Sequence, residues 1–295
     1  MASLDTHPLP RRLRKRAAQQ LSLSLPSVDA HWQAGRLSVS TPEDPRPRVV
    51  PLATLLFPED RLLCDDVPLS AEPRLVYALL NKPKHMTSTA ADPDGERDLS
   101  SYLAALPPGC FAVGRLDRET TGLLLFTNDG DLASAVLRPD QHTSKTYWLW
   151  LDDVLADDDP RLARLVAGVP HNGEVLTACD ARVLSRNDYA TELELTLTQG
   201  RKRQIRHMCR VLDLHLVHLH RRRIGPLADL ELELGGIRYL ESNEVEALWS
   251  ALGGREALRA RKVAALERQA QAARDSGSPE LRLERWLAVE RAREA

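Results

Sequence analysis

The sequence predicts an α+β fold, and three observations predict it. Residues Thr191 to Thr198 alternate Glu192, Glu194 and Thr196 with Leu193, Leu195 and Leu197, the period of a half-buried strand. Asp159-Pro160 supplies an N-cap and a first-turn proline for a helix through Val166. A composition of 43% apolar and 28% charged residues over 295 positions suits a soluble globular chain with a proper core, and no apolar run approaches a membrane span.

Residues 1–70 read as a small module and linker, with a basic run from Arg11 to Arg16, proline richness from Pro42 to Pro51 and weak apolar periodicity. From Leu75 the pattern becomes regular. Val76 to Leu80 is an apolar strand stopped by Asn81-Lys82-Pro83, because proline cannot donate to a ladder. Phe111 to Val113 and Leu123 to Thr127 are strands joined by a turn between Gly114 and Gly122, glycines that mark a bend or a close approach. Leu132 to Leu137 is a short helix and Thr146 to Leu151 an aromatic-rich strand. Gln199-Gly200 turns the chain into a basic helix, Lys202 to Leu212, and Leu214 to Ile224 is another strand. Asn243 with Glu246 predicts a capping box for a helix ending at Leu252. Beyond Gly253 the chain is rich in Ala, Arg, Glu and Leu, and Ser276-Gly277-Ser278-Pro279 divides two helical stretches expected as a solvated pair. Three pieces follow: residues 1–70, 71–252 and 253–295.

Formal net charge is only -2, yet between Gln199 and Pro226 eight Lys or Arg stand against the single acid Asp213, with four histidines among them. Such a local basic face attracts a polyanion while leaving the rest of the surface neutral; a solvated helix and strand edge is the bland alternative. The four cysteines, Cys64, Cys110, Cys179 and Cys209, form no CxxC pair, so neither zinc knuckle nor disulfide framework is expected, and a reducing, cytoplasmic setting fits. Neither G-x-x-x-x-G-K nor a G-x-G-x-x-G fingerprint occurs, so no nucleotide cofactor is implied. No metal is implied either. Asp129 and Asp131 are accounted for by the turn and helix cap at Asn128-Asp129-Gly130-Asp131, and His215, His218 and His220 lack partner ligands at a persuasive spacing. Only Asp117, on the turn between two apolar strands, lacks a local structural reason, and a turn anchored by buried strands holds a polar group in fixed geometry. It is the candidate catalyst.

Asn81-Lys82-Pro83, Gly114-Arg115-Leu116-Asp117, Lys145-Thr146-Tyr147, Gly200-Arg201-Lys202-Arg203-Gln204-Ile205-Arg206 and Arg223-Ile224-Gly225-Pro226-Leu227, in this order, resemble the RNA pseudouridine synthases, most closely the branch acting on ribosomal RNA. The likeness covers about Leu75 to Leu252. It implies a large mixed, mostly antiparallel sheet with flanking helices and a central cleft, preceded by a small RNA-binding module. The implied reaction isomerises a uridine in structured RNA to pseudouridine, with ribosomal RNA expected ahead of transfer RNA and no cofactor. Asp117 matches the catalytic aspartate and Arg206 its pairing arginine, whose charge-assisted bond would hold the carboxylate ionised and fix its direction. Tyr147 matches the ring placed against the base, and Ile205 an apolar wall of the pocket. Arg115 is suited to fill the gap left by an extruded nucleotide. Lys82 is counted with the RNA-binding residues, and Arg201, Lys202, Arg203, Arg210 and Arg221 form the phosphate-gripping face, Arg221 ahead of Arg222 because strand alternation sends one of them elsewhere.

His85 stands where the family usually has glycine after Lys-Pro-x, and His218 where arginine is common. Arg12-Leu13 through Gly35-Arg36-Leu37-Ser38-Val39 faintly resembles the small module preceding many members, with its usual helix expected to be degraded by Ser22 to Ser27. Rival readings are an assembly factor that binds RNA without turnover, and a glycosidic hydrolase in which Asp117 activates water. No apolar heptad run demands assembly, so a monomer is expected.

Overall fold

The computed structural model describes residues 8–69, 74–90, 97–138, 140, 143–228, 231–278 and 280–294. The boundary expected near residue 70, and Pro279 of the predicted helix break, lie outside them. Contacts divide the chain into two compact units, Leu75–Leu252 and the combination of Met1–Arg74 with Gly253–Ala295.

The first unit is built on a nine-stranded sheet whose strands are numbered here in chain order: β1 Tyr77–Lys82, β2 Phe111–Val113, β3 Thr121–Thr127, β4 Lys145–Leu151, β5 Asp180–Arg186, β6 Thr191–Leu197, β7 Leu216–Ile224, β8 Leu227–Ala228 and β9 Ile237–Tyr239. The order across the sheet is β5-β6-β4-β7-β3-β1-β9, with β8 paired to β7 and β2 to β3. Among the described residues every pairing in it is antiparallel except β7 with β3, which run parallel through His220↔Thr121 and Arg221↔Gly122. Two antiparallel blocks therefore meet at a short parallel seam, the mixed, mostly antiparallel sheet that the resemblance implies.

The strand patterns explain the layering. All seven residues of β3 are buried, as a near-continuous apolar run in mid-sheet requires, whereas β6 alternates buried leucines with half-buried Glu192, Glu194 and Thr196. Leu149, Leu151, Leu193, Leu195, Leu197 and Leu219 of the first block pack with Leu162 and Leu165 of the Pro160–Ala167 helix and with Ile205, Met208 and Cys209 of the Gln204–Val211 helix. Each fully buried leucine contributes about 1.5–3 kcal/mol. A separate core of Ala78, Leu80, Leu124 and Phe126 with Met86, Leu99 and Leu106 supports the second block. At the seam Gly122 (φ +109°) is obligatory, because a Cβ there would lie 2.3 Å from the Arg221 carbonyl oxygen. The glycine marks a close approach.

Several boundaries differ from expectation, each for a local reason. The basic helix starts at Gln204, not Lys202, because Arg203 takes a left-handed conformation (φ 54°), and β7 starts at Leu216 after left-handed Asp213 (φ 52°). The capping box of the Ser242–Ala251 helix is Glu241 with Glu244, not Asn243 with Glu246: both glutamates bond back to the other's backbone, and Asn243 accepts only from Glu244 N–H.

In the second unit Ser22 to Ser27 does not degrade a helix. It ends one (Leu13–Gln20) and opens another (Leu25–Gln33), with the Ser24 hydroxyl accepting from Ser27 N–H at 3.2 Å. These helices pack Leu13, Ala17 and Val28 against Leu37, Val39, Leu56 and Leu62. The C-terminal helices Gly254–Asp275 and Leu281–Glu294 are not a merely solvated pair, since Val263, Ala270, Leu283, Trp286 and Leu287 form a core with Phe57. Arg282 donates to Asp60 at 2.7 Å and lies 4.6 Å over the Phe57 ring.

Candidate active site

Asp117 lies on the turn between β2 and β3, and the backbone on both sides of it is held. The Leu116 N–H donates to the Ser88 hydroxyl at 3.0 Å while that hydroxyl donates back to the Leu116 carbonyl at 2.7 Å. Three residues on, Thr120 N–H closes a turn on the Asp117 carbonyl at 3.0 Å. Ser88 and Leu116 are buried and the Asp117 side chain remains 31% exposed, so the carboxylate is fixed at its root and open at its tip.

Arg206 comes from the first turn of the Gln204–Val211 helix. Its Nε lies 3.8 Å from Asp117 Oδ2, and its Nη2 donates to Thr120 Oγ1 at 3.3 Å. The expected charge-assisted bond is therefore not made: at 3.8 Å the two form an ion pair without a hydrogen bond, and the buried Nε has no hydrogen-bond partner among the described residues. Burial pushes the Arg206 pKa down, as does the neighbouring Arg203, and Asp117 and Glu119 oppose them. Arg203 reaches the same carboxylate oxygen at 3.9 Å. Two cations thus face Asp117 without hydrogen-bonding to it.

A line of paired residues runs across four strands beside this turn: Lys82 on β1 opposes Gly122 on β3, Gly122 opposes Arg221 on β7, and Arg221 opposes Tyr147 on β4. Tyr147 is half-buried on the helix-covered side of the sheet, against the core that includes buried Ile205. Tyr147 and Ile205, expected around one base, thus share one apolar cluster.

Two expected RNA-gripping residues are buried instead. Lys82 is fully buried, its ammonium donating to the Pro83 and Met86 carbonyls at 2.9 and 2.8 Å, and burial lowers its pKa to about 8 against the opposing fields of Glu119 and Asp117. Arg221, 4% exposed, donates to the Leu123 carbonyl at 2.7 Å. The alternation on β7 goes the other way from the expectation: Arg222 is the more accessible of the pair. Arg115, Arg201, Lys202, Arg203 and Arg210 are exposed, with Arg201 ion-paired to Glu174 at 2.9 Å. Arg203, Arg206 and Arg210 share a helix-side groove of about 320 Å³ with Cys209, Asp213 and His215.

Sequence reading missed Ser88 and Thr120. Thr120 sits inside the turn between Gly114 and Gly122, three residues from Asp117; nothing marks Ser88 before the chain folds, since its partner is 28 residues away.

Residues 76–210 match the model of the RNA pseudouridylate synthase family. The chain is 32% identical over 241 residues to the ribosomal small subunit pseudouridine synthase A of Escherichia coli strain K12, an alignment covering 80% of this chain and 99% of that protein. It is 30% identical over 175 residues to the ribosomal large subunit pseudouridine synthase B of Bacillus subtilis strain 168, covering 59% of this chain and 71% of that one. A crystal structure of a pseudouridylate synthase superposes with a TM-score of 0.55 at 27% identity, over 82% of this chain and all of that one. An alignment running almost the whole length of a pseudouridine synthase at this identity, with the fold to match, assigns the chain to a family: it belongs to the RNA pseudouridine synthases.

Proposed function

We propose that the protein isomerises a uridine in structured ribosomal RNA to pseudouridine and that Asp117 is its catalytic carboxylate. The observation that carries this reading is the Asp117 turn, clamped by Ser88 on one side and closed by Thr120 on the other, with its carboxylate ion-paired but not hydrogen-bonded to Arg206. The reaction breaks the bond from the ribose anomeric carbon to N1 of uracil, turns the base and rejoins it through C5. It consumes no redox equivalent. An ionised carboxylate with free lone pairs acts either as nucleophile at the anomeric carbon or as base toward the 2′ proton. Arg206 and Arg203 face it, and a guanidinium whose Nε lacks a partner among the described residues can give that donor to substrate or to the developing charge.

Tyr147 stacks on the base and assists removal of the C5 proton, Ile205 backs it, and Arg115 occupies the place of the extruded uridine. Arg201, Lys202, Arg203 and Arg210, with Arg222 in place of buried Arg221, hold phosphates. The enzyme acts as a cytoplasmic monomer, and the N-terminal module adds a second RNA contact. Carbodiimide mapping of pseudouridine in cells lacking the protein, complemented with wild type or Asp117→Asn, tests the reading. One site lost and restored only by wild type is the expected result; restoration by Asp117→Asn would leave an RNA-binding assembly role as the better account.

A further inference from the structure

The sheet face opposite the helices carries an unusual set of side chains. The block β5-β6-β4-β7 buries Leu149, Leu193, Leu195 and Leu219 on one side, so alternation turns Trp148, Trp150, His218 and His220 to the other. Solvated faces of antiparallel sheets ordinarily carry polar residues. Here His218 lies opposite Trp150 and His220 opposite Trp148 on adjacent strands. The Trp148 ring is 6.3 Å from Trp150, 6.0 Å from His218 and 6.3 Å from His220, and the two imidazoles lie 6.3 Å apart with planes 24° from parallel. Trp150 is 42% exposed, and neither indole N–H has a hydrogen-bond partner among the described residues.

Both histidines are tied to one buried hydroxyl, Thr121 Oγ1, at 3.1 Å from His218 Nε2 and 2.8 Å from His220 Nδ1. A hydroxyl bridges two neutral imidazoles by donating to one and accepting from the other. Burial lowers both histidine pKa values, that of His220 to about 4, so the rings stay neutral near pH 7. Positive charge lies nearby: Lys84, itself 3.8 Å from Glu119, and Arg206, itself 3.8 Å from Asp117, act on His218, and Arg222 acts on His220. The acid facing Trp148, Glu194, is neutralised by Arg182 at 2.6 Å; Glu192, opposite Trp150, is the one carboxylate on these two rungs with no ion pair among the described residues.

We infer that this aromatic face is a further RNA contact, on the side of the sheet away from Tyr147, on which bases of unpaired nucleotides of the substrate RNA stack. Neutral flat rings with free N–H donors and a cationic border suit nucleobases on a charged backbone. The inference rests on the RNA substrate of the proposed function. It adds a stacking contact that the arginines do not supply.

The test uses the full chain and an unmodified small-subunit ribosomal RNA transcript, measuring affinity, tryptophan quenching and pseudouridine formation for wild type, Asp117→Asn and the double variant Trp148→Leu, Trp150→Leu. The expected result is roughly tenfold or greater weakening in the double variant, with an unchanged salt slope and loss of the quench, while Asp117→Asn binds as wild type. Equal affinity of wild type and double variant, alongside wild-type turnover, overturns the inference and leaves the proposed function standing. Absence of turnover by wild type on this and on large-subunit transcripts counts against the proposed function itself. A tryptophan-dependent dimer in sedimentation, with RNA affinity unchanged, makes the face a self-interface and overturns the inference. Should the double variant not fold, Trp150→Thr, at the more exposed ring, is read by the same affinity criterion.

Discussion

The cations around the seam and those on the helix side look alike in the sequence and differ in almost every physical respect once folded. Lys82 and Arg221 are buried, Lys82 donating to two backbone carbonyls and Arg221 through Nε to one while its buried Nη2 has no partner among the described residues, whereas Arg201, Lys202, Arg203 and Arg210 are exposed. Arg206 stands between the two groups, with one donor on Thr120, an ion pair to Asp117 and a buried Nε unmatched. A charge inside the sheet is structural, one at the surface is available to a polyanion, and one at the boundary can serve chemistry.

The largest effect is expected at the boundary. Arg206→Gln should lower kcat by about 10²–10³-fold with little change in melting temperature, as for loss of a preorganised donor; single-turnover kinetics and a thermal melt check it, and a large stability loss with normal turnover would move Arg206 into the structural group. Next comes the interior: Arg221→Ala should cost about 2–4 kcal/mol in urea unfolding, since it opens space at the seam and strands the Leu123 carbonyl. A cost below about 0.5 kcal/mol, ordinary for surface sites, would contradict the assignment.

Lys82 sharpens the contrast through pH. Its folded pKa, about 8, lies below the ordinary 10.5, so between these values the unfolded chain binds the proton that the folded chain has released, and stability rises with pH. Wild type should gain on the order of 2–3 kcal/mol relative to Lys82→Met between about pH 8 and pH 10.5 in paired denaturation series. A flat difference would mean that the ammonium is better solvated than its burial indicates. The smallest effects belong to the surface: Arg203→Gln or Arg210→Gln should leave the melting temperature unchanged, weaken RNA binding a few-fold and reduce the salt slope by roughly one phosphate contact. Filter binding across salt concentrations reads the last two, and a thermal melt reads the first.

Strands, helices and the Asp117 turn were legible because they depend on neighbours in sequence: alternation in Thr191–Leu197, the cap at Asp159-Pro160 and glycines around Asp117. The mixed, mostly antiparallel sheet came from resemblance, and its strand order was not legible, since nothing local says that β7 runs parallel to β3. What was misread depends on distant partners. Whether Arg221 or Arg222 points inward is decided by the register of β7 against β4, which shifts between Arg221 and Arg223, and the fate of Lys82 by the loop that closes over it at Met86. Glu241 was passed over as a cap because shorter side chains usually fill that position.

The parallel seam has a consequence for how the molecule comes into being. Thr121 and His220 are 99 residues apart in the chain, and among the described residues only two residue pairs join β3 to β7. Closing so long a loop carries its entropic cost before the contact returns anything, so, apart from β9, whose Ile237 pairs with still more distant Leu80, each antiparallel block can form from more local pairings while their union comes late. Asp117 travels with one block, and Tyr147 and Arg206 with the other. Half-folded chains on the ribosome or in a refolding mixture hold half a site, and turnover reports completed folding more strictly than secondary structure does.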